Sequence, residues 1–145
     1  MALKKKDLVR PKTQYGALPW REAADNGVEI LLITSRETQR WVLPKGWPIR
    51  GLPPGFAALR EAYEEAGVDG YASLGVIGHY RYDKRLSDGR LQPVAVEVYS
   101  LQVSAEHAQW PEQHQREKRW VSQGDAALMV DEPELKVLIA AFSPH

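Results

Sequence analysis

The feature that most constrains this chain is a group of three glutamates, Glu61, Glu64 and Glu65, within one predicted helix. The segment 54–66 has apolar residues at helical spacing, and Gly67 follows it at the position of a C-terminal cap. Residues at i, i+3 and i+4 share one side of a helix, so the carboxylates are predicted to converge there. The opposite side is predicted to be an apolar stripe of Leu59, Ala62, Tyr63 and Ala66.

The three carboxylates are unfavourable for the helix that carries them. Like charges at these spacings cost about 0.2–0.5 kcal/mol per pair, and the C-terminal end of a helix already disfavours negative charge. A hard divalent cation removes both costs, because Mg²⁺ prefers oxygen ligands and keeps part of its shell for phosphate oxygens. The pattern therefore favours a metal and phosphate site, with a charged solvent-facing helix surface as the alternative.

Residues 60–68 read R-E-A-Y-E-E-A-G-V and match the pattern R-E-U-x-E-E-x-G-U, where U is apolar. At this segment the chain resembles the Nudix box. The fuller pattern of that family begins with a glycine, and Gly46 stands at its position. One position departs, because Leu52 replaces a glutamate of the pattern and cannot bind a metal. The resemblance extends from about residue 14 to 142.

The resemblance implies a metal-dependent enzyme that hydrolyses a phosphoanhydride bond. By the same resemblance, Glu61, Glu64 and Glu65, with the backbone carbonyl of Gly46, are expected to bind Mg²⁺, or alternatively Mn²⁺. Arg60 is predicted to pair with one of these carboxylates and fix its rotamer. The catalytic set predicted from the sequence is thus Arg60 with the three glutamates.

Softer markers indicate a branch of the family. Segments 41–48 and 116–120 look like the diphosphoinositol polyphosphate phosphohydrolase branch. We therefore expect a small-molecule polyphosphate substrate, either a diphosphoinositol polyphosphate or a dinucleoside polyphosphate. Such polyanions need several cations around the cleft. The predicted substrate contacts are Lys45, Arg90 and Arg116 for phosphate and Trp47 for stacking on a base.

Two questions stay open at the level of sequence. Glu97 interrupts an apolar strand and is predicted to be either the general base or an extra metal ligand, with an outward-facing polar residue as the equal alternative. The alternative substrates are ADP-ribose and a triphosphorylated RNA end. Because of Leu52, a weakly catalytic polyphosphate-binding module is also an alternative.

Strands are predicted at 15–20, 28–34, 41–43, 71–82, 91–103 and 119–121, with turns at 25–27 and 87–89. After the helix at 54–66, a short helix capped by Ser122 and an amphipathic helix at 133–142 are expected. This order favours an α+β fold, and the resemblance specifies an α/β/α sandwich with a mixed β-sheet, a central box helix and C-terminal helices.

Composition bounds the remaining possibilities. The 145 residues, 43% of them apolar, fit a single domain over 1–145, with a basic and flexible segment at 1–12. The 19 basic and 19 acidic residues cancel, which disfavours a general nucleic-acid or membrane binder. The absence of cysteine and of an apolar span indicates a cytoplasmic protein that is not membrane-bound. A homodimer is possible, although no segment marks an interface.

Overall fold

The computed structural model describes residues 10 to 144, so most of the predicted flexible segment 1–12 lies outside the described residues. Eight strands and three helices follow one another along these residues. In chain order they are β1 Lys12–Glu22, β2 Val28–Thr34, β3 Trp41–Val42, β4 Lys45–Gly46, α1 Pro54–Ala66, β5 Val68–Ala72, β6 Gly78–Arg85, β7 Leu91–Glu106, β8 Lys118–Ser122, α2 Gln123–Met129 and α3 Pro133–Ala141. The predicted α+β fold with a mixed sheet is confirmed.

The sheet is built around β1 and β7, which run parallel from Lys12 opposite Val94 to Trp20 opposite Gln102. The strand order is β3-β2-β1-β7-β5, with β4 on β1, β6 on β7 and β8 on β2. One edge of β1 is shared by two antiparallel partners, because β4 pairs with it near its start and β2 pairs with it only at its end. The short strand β4 thereby holds the following loop against the sheet.

Apolar side chains cover both faces of the sheet, as in a sandwich of three layers. On one face Val94, Val96 and Val98 of β7 pack in a cluster with residues of α2 and α3. On the other face Tyr99 and Leu101 pack with the alanines of α1. Burial of each large aliphatic side chain contributes about 1.5–3 kcal/mol, so both layers are held mainly by this alternation along β7.

Helix α1 has the predicted bounds, but its buried side differs from the predicted one. Gly67 caps it in the left-handed conformation, with φ of 69° and its N–H donated to the carbonyl of Tyr63. Leu59 and Tyr63 are only half-buried, whereas Glu65 is buried beside alanines. The prediction that all three glutamates lie opposite the core is therefore wrong for Glu65. Small alanine side chains let the helix approach the sheet, and this brings the carboxylate inside.

Other boundaries differ locally. The predicted strand 71–82 is two strands, because the Ser73 hydroxyl donates to the carbonyl of Gly75 and the chain turns there. The two-residue strand β4 was not predicted. Both turns, at 25–27 and 87–89, join antiparallel strands as predicted, and the Ser122 hydroxyl accepts from the N–H of Asp125 to cap α2. Within residues 10–144 no helix is long and apolar enough to cross a membrane.

Candidate active site

A cleft of about 650 Å³ opens between α1, the loop around β4, strand β6 and the connection from α2 to α3. It brings together most of the residues that were predicted for the site. Its lining includes Lys45, Gly46, Trp47, Glu61, Glu65 and Arg116. The charged lining among the described residues is balanced, with six basic side chains (Arg36, Arg40, Lys45, Lys84, Arg85, Arg116) and six acidic ones (Glu37, Glu61, Glu65, Asp83, Glu112, Glu132).

The centre of the cleft is a pair of desolvated carboxylates on α1. Glu65 is only 6% exposed, and burial raises its pKa to about 8 although Arg116 opposes this shift. Burial also raises the pKa of Glu61, and a hydrogen bond joins the side chains of Glu61 and Glu65. One buried and one half-buried acid joined by a hydrogen bond are costly to ionise together, so the pair favours a nearby cation when both are charged.

Gly46 of β4 lies against the carboxylate of Glu61. A Cβ atom at this position would overlap the carboxylate of Glu61, so the carboxylate lies directly against the backbone of β4. Gly46 pairs with Tyr15 and Lys45 pairs with Gly16, which fixes the loop at the edge of β1. The missing side chain leaves space for the carboxylate of Glu61 beside the backbone. Because Mg²⁺ prefers oxygen ligands, this donor set fits a hard divalent cation.

Arg116 is the basic residue that holds the carboxylates. Its Nη2 atom lies 3.6 Å from Oε1 of Glu65 and 3.0 Å from Oε1 of Glu112, and its side chain is 10% exposed. Its Nη1 atom donates to the carbonyl of Thr34 at 3.1 Å. The planar guanidinium is thus fixed at several points, and it orients Glu65 from the side away from α1.

Arg60 does not form the predicted ion pair, and its catalytic role stays a prediction. Its side chain is exposed, and within the described part of the chain it forms no ion pair with Glu61, Glu64 or Glu65. Glu65 is out of its reach, because Glu65 lies on the buried side of α1 while Arg60 lies on the solvent side. The basic side chain that contacts Glu65 is Arg116.

Glu64 also differs from the prediction. It is half-buried and does not line the cleft, so two of the three glutamates face it rather than three. Among residues 10 to 144, no group of three or more His, Cys, Asp or Glu side chains is close enough together to hold a metal ion. The role of Glu64 as a ligand therefore stays a prediction.

Lys45 and Trp47 flank Gly46 on the loop. The Nζ atom of Lys45 lies 4.8 Å from the ring centre of Tyr82, and burial lowers the pKa of Lys45 while Glu65 and Glu132 oppose the shift. Successive residues of a strand point to opposite faces, so Lys45 faces β6 while Gly46 faces α1. Trp47 is 39% exposed and stands at the rim of the cleft.

Two predicted residues lie away from the cleft lining. Arg90 is exposed in the turn between β6 and β7, where its Nε atom lies 2.6 Å from Oδ2 of Asp88. Glu97 is half-buried on β7, two strands from Gly46 in a row that passes through Tyr15. Paired residues share a face, so Glu97 lies on the α1 side, about 10 Å from Gly46 at the usual strand spacing. Both proposed roles stay predictions.

Several residues of the cleft were not found from the sequence. Tyr80 and Tyr82 of β6 line it, as do Gln14 of β1 and Glu132 before α3. The Tyr82 hydroxyl donates to Oε1 of Gln14 at 2.6 Å. The i, i+2 spacing of the two tyrosines was an available signal, because it places both rings on one face of a strand. Nothing in the sequence around Glu132 distinguishes it from an ordinary residue before a helix.

Comparison with known proteins agrees with this geometry. The NUDIX domain family model matches residues 15–142. The chain belongs to the Nudix family. Accordingly α1 is its Nudix box helix, and the cleft lies between this helix, β6 and the loop of β4.

Among relatives of this Nudix domain, Nudix hydrolase 21, chloroplastic, of Arabidopsis thaliana is 32% identical over 135 residues, covering 88% of this chain and 64% of the relative. The chain thus spans less than two thirds of that relative. Diphosphoinositol polyphosphate phosphohydrolase 3-alpha of Homo sapiens is 51% identical over 43 residues, or 29% of this chain and 26% of the relative. The C. elegans Ap4A hydrolase crystal structure has a TM-score of 0.63 at 22% identity, covering 90% and 95% of the two chains. This last similarity shows a common fold.

Proposed function

We propose that this Nudix domain hydrolyses a phosphoanhydride bond in a nucleoside- or inositol-linked diphosphate, with a divalent metal ion. The observation that carries the proposal is the desolvated pair of Glu61 and Glu65 in the cleft, with Arg116 against Glu65 and Lys45 close enough to oppose the rise in its pKa. Nothing in the packing of α1 requires a carboxylate at this buried position. A divalent cation balances the negative charge of the ionised pair, and its remaining coordination positions can take phosphate oxygens.

The proposed metal ligands are Glu61, Glu65 and the backbone carbonyl of Gly46, with Glu64 as a further ligand. Mg²⁺ is the proposed ion and Mn²⁺ the alternative. When bound, the ion neutralises phosphate oxygens and activates water for attack on phosphorus. The glycine at position 46 lets the carboxylate of Glu61 approach the backbone, which a side chain would prevent.

The remaining residues act by position and charge. Arg116 keeps the carboxylate of Glu65 oriented toward the cleft, so it is a positioning residue for that ligand. Lys45 places a cation beside Glu65 and is the proposed phosphate contact, with Arg90 and Arg116 as further ones. Trp47 at the rim presents a ring on which a base can stack. Glu97 remains the proposed general base or extra ligand.

Diphosphoinositol polyphosphates and dinucleoside polyphosphates are the proposed substrates. The similarity to diphosphoinositol polyphosphate phosphohydrolase 3-alpha, although limited to 43 residues, supports the first class. ADP-ribose and a triphosphorylated RNA end are the alternatives within the same chemistry. A weakly catalytic binding module is favoured by Leu52 and by the position of Glu64 outside the cleft lining.

The test is turnover of diadenosine polyphosphates, diphosphoinositol polyphosphates and ADP-ribose, with Mg²⁺ and with a chelator. Glu65→Gln is compared with Glu117→Gln, whose side chain is exposed. The proposal predicts metal-dependent release of phosphate or nucleotide that falls about 100-fold or more in Glu65→Gln only, since a lost electrostatic contact in a transition state has this magnitude. Turnover that is insensitive to the chelator, or equal in both variants, contradicts it.

A further inference from the structure

Two residues of the cleft lining each have a buried polar atom without a hydrogen-bond partner. These atoms are the hydroxyl of Tyr80, a residue only 1% exposed, and Oε2 of Glu132, a residue only 8% exposed. Both residues line the cleft. Most buried polar atoms of folded proteins are hydrogen-bonded, and each unpaired one costs about 1–3 kcal/mol. Two such atoms in one cleft indicate a group that is supplied from outside.

The two groups differ in their surroundings and in their protonation. Oε1 of Glu132 lies 3.9 Å from Nη1 of Arg40, so one carboxylate oxygen faces a cation and the other has no partner. Burial, with Glu132 as a further cause, raises the pKa of Tyr80 well above its usual value, so its hydroxyl keeps the proton. The site therefore presents a phenol that can donate or accept and a carboxylate that accepts.

The position of the pair relates it to the proposed phosphate end. Lys45, Glu65 and Glu132 all line the cleft, and both acids oppose the lowering of the pKa of Lys45. The cleft lining has as many acidic as basic side chains, so it has no excess of positive charge. Glu132 adds a negative charge to its own part of the lining. A phosphate group there would place a second negative charge against a buried carboxylate, which is unfavourable at low dielectric.

We propose that Tyr80 and Glu132 form a specificity subsite that binds a neutral hydrogen-bond donor of the substrate and excludes a phosphate at that position. This inference rests on the proposed function, because it concerns the non-phosphate part of the same substrate. A hydroxyl or amino group donates a hydrogen bond to Oε2 of Glu132, and a hydroxyl or an adjacent acceptor atom accepts a hydrogen bond from the Tyr80 hydroxyl. The subsite thereby selects a nucleoside-linked diphosphate over an inositol that is phosphorylated at every hydroxyl.

The chemistry has two sources in a nucleotide, the edge of the base and the hydroxyls of the sugar. They are separated by titration calorimetry in the presence of Mg²⁺. The probes are methylenediphosphonate, α,β-methylene-ADP, its analogue without the 6-amino group, and its 2′-deoxy and 3′-deoxy analogues. The proteins are the wild type, Tyr80→Phe and Glu132→Gln, with Tyr71→Phe as the matched control because Tyr71 is 72% exposed.

We expect methylenediphosphonate to bind all four proteins equally. The nucleoside adds affinity in the wild type and in Tyr71→Phe, and each subsite variant loses about 10-fold of this gain, as expected for one buried hydrogen bond. The analogue that binds the wild type about 10-fold more weakly than α,β-methylene-ADP shows whether the base edge or a sugar hydroxyl contacts the subsite. Thermal unfolding without ligand controls for folding, and Tyr80→Phe is expected to be no less stable, because it removes an unpaired hydroxyl.

Three outcomes would overturn the inference. The first is that the nucleoside adds no affinity in the wild type. The second is that both subsite variants retain the full gain, and the third is that no analogue loses affinity. The last result indicates that a buried water satisfies the two atoms instead. If methylenediphosphonate still binds and Mg²⁺-dependent turnover persists, the proposed function stands without the subsite. If no probe binds and no diphosphate is turned over, both fail together.

Discussion

Arg116 and Glu65 face each other across 3.6 Å, measured from Nη2 to Oε1, and both side chains are at most 10% exposed. The two residues come from distant segments, the connection before β8 and the last turn of α1. Their contact ties the box helix to the far wall of the cleft. Because both side chains are largely removed from water, the ionisation of Glu65 depends on the presence of Arg116.

Replacement of Arg116 by alanine is expected to destabilise the metal-free protein by about 3 kcal/mol, since removal of one partner leaves buried carboxylates without a counter-charge. Urea unfolding at pH 9 measures this change, because Glu65, with its pKa raised to about 8, is ionised there. The control is Arg60→Ala, whose exposed side chain predicts a change within about 0.5 kcal/mol. Similar effects of the two substitutions would show that Arg116 does not support the carboxylates.

The stability of the metal-free protein is expected to depend on pH through Glu65. Its pKa is raised from 4.5 to about 8 in the folded state, so the folded protein retains a proton that the unfolded chain loses first. The free energy of unfolding therefore falls as pH rises from about 4.5 to 8 and levels off above that. Thermal unfolding in chelator at a series of pH values measures it.

The control for this pH dependence is Glu65→Gln, which should flatten the slope between pH 5 and 8. Mg²⁺ should stabilise the wild type more at pH 8 than at pH 5, because the carboxylate must lose its proton to bind a metal. A slope that persists unchanged in the variant would assign the titration to another group.

Gly46→Ala is expected to abolish metal-dependent turnover while the domain still folds. The added methyl group overlaps the carboxylate of Glu61, which must then leave its place against the backbone. Loss of Mg²⁺-induced thermal stabilisation reports the effect independently of activity. Gly124→Ala is the matched control, because a Cβ atom there meets nothing within 4 Å. Normal Mg²⁺ binding by Gly46→Ala would contradict this role of Gly46.

Lys45→Gln is expected to raise KM for a polyphosphate substrate by about 10-fold with little change in kcat, the behaviour of a contact made equally in the bound and transition states. Steady-state kinetics at two salt concentrations measure it. Arg81→Gln is the control, because Arg81 is exposed and does not line the cleft. An equal rise of KM in both variants would indicate a general surface charge effect.

The local part of the site was accessible from the sequence. Helix α1, its glycine cap and the carboxylates of Glu61 and Glu65 follow from spacing within a few turns, and the family pattern added Gly46. The sequence could not place Glu65 on the buried side, because that depends on how closely the alanines let α1 approach the sheet. Local periodicity alone therefore assigned the wrong face to one of three glutamates.

Long-range partners could not be predicted in the same way. Arg116 is 51 positions beyond Glu65, and only the path of the chain after β7 brings it to the helix. The pair of Tyr80 and Glu132 likewise meets through the packing of α3 on β6, where Glu134 accepts from the N–H of Arg81 at 2.9 Å. Neither relation leaves a pattern within a single segment.

Because strand β4 has only two residues, the site depends on the exact length and register of its loop. Lys45 faces Tyr82 and the phosphate end, while the next residue, Gly46, faces the box helix, so one peptide bond separates two chemical environments. Insertion or deletion of one residue between Pro44 and Trp47 would exchange the two faces. A lysine side chain would then enter the space that the carboxylate of Glu61 needs. The register of this short loop against β1 therefore matters more than its composition, and any redesign of the site must preserve it.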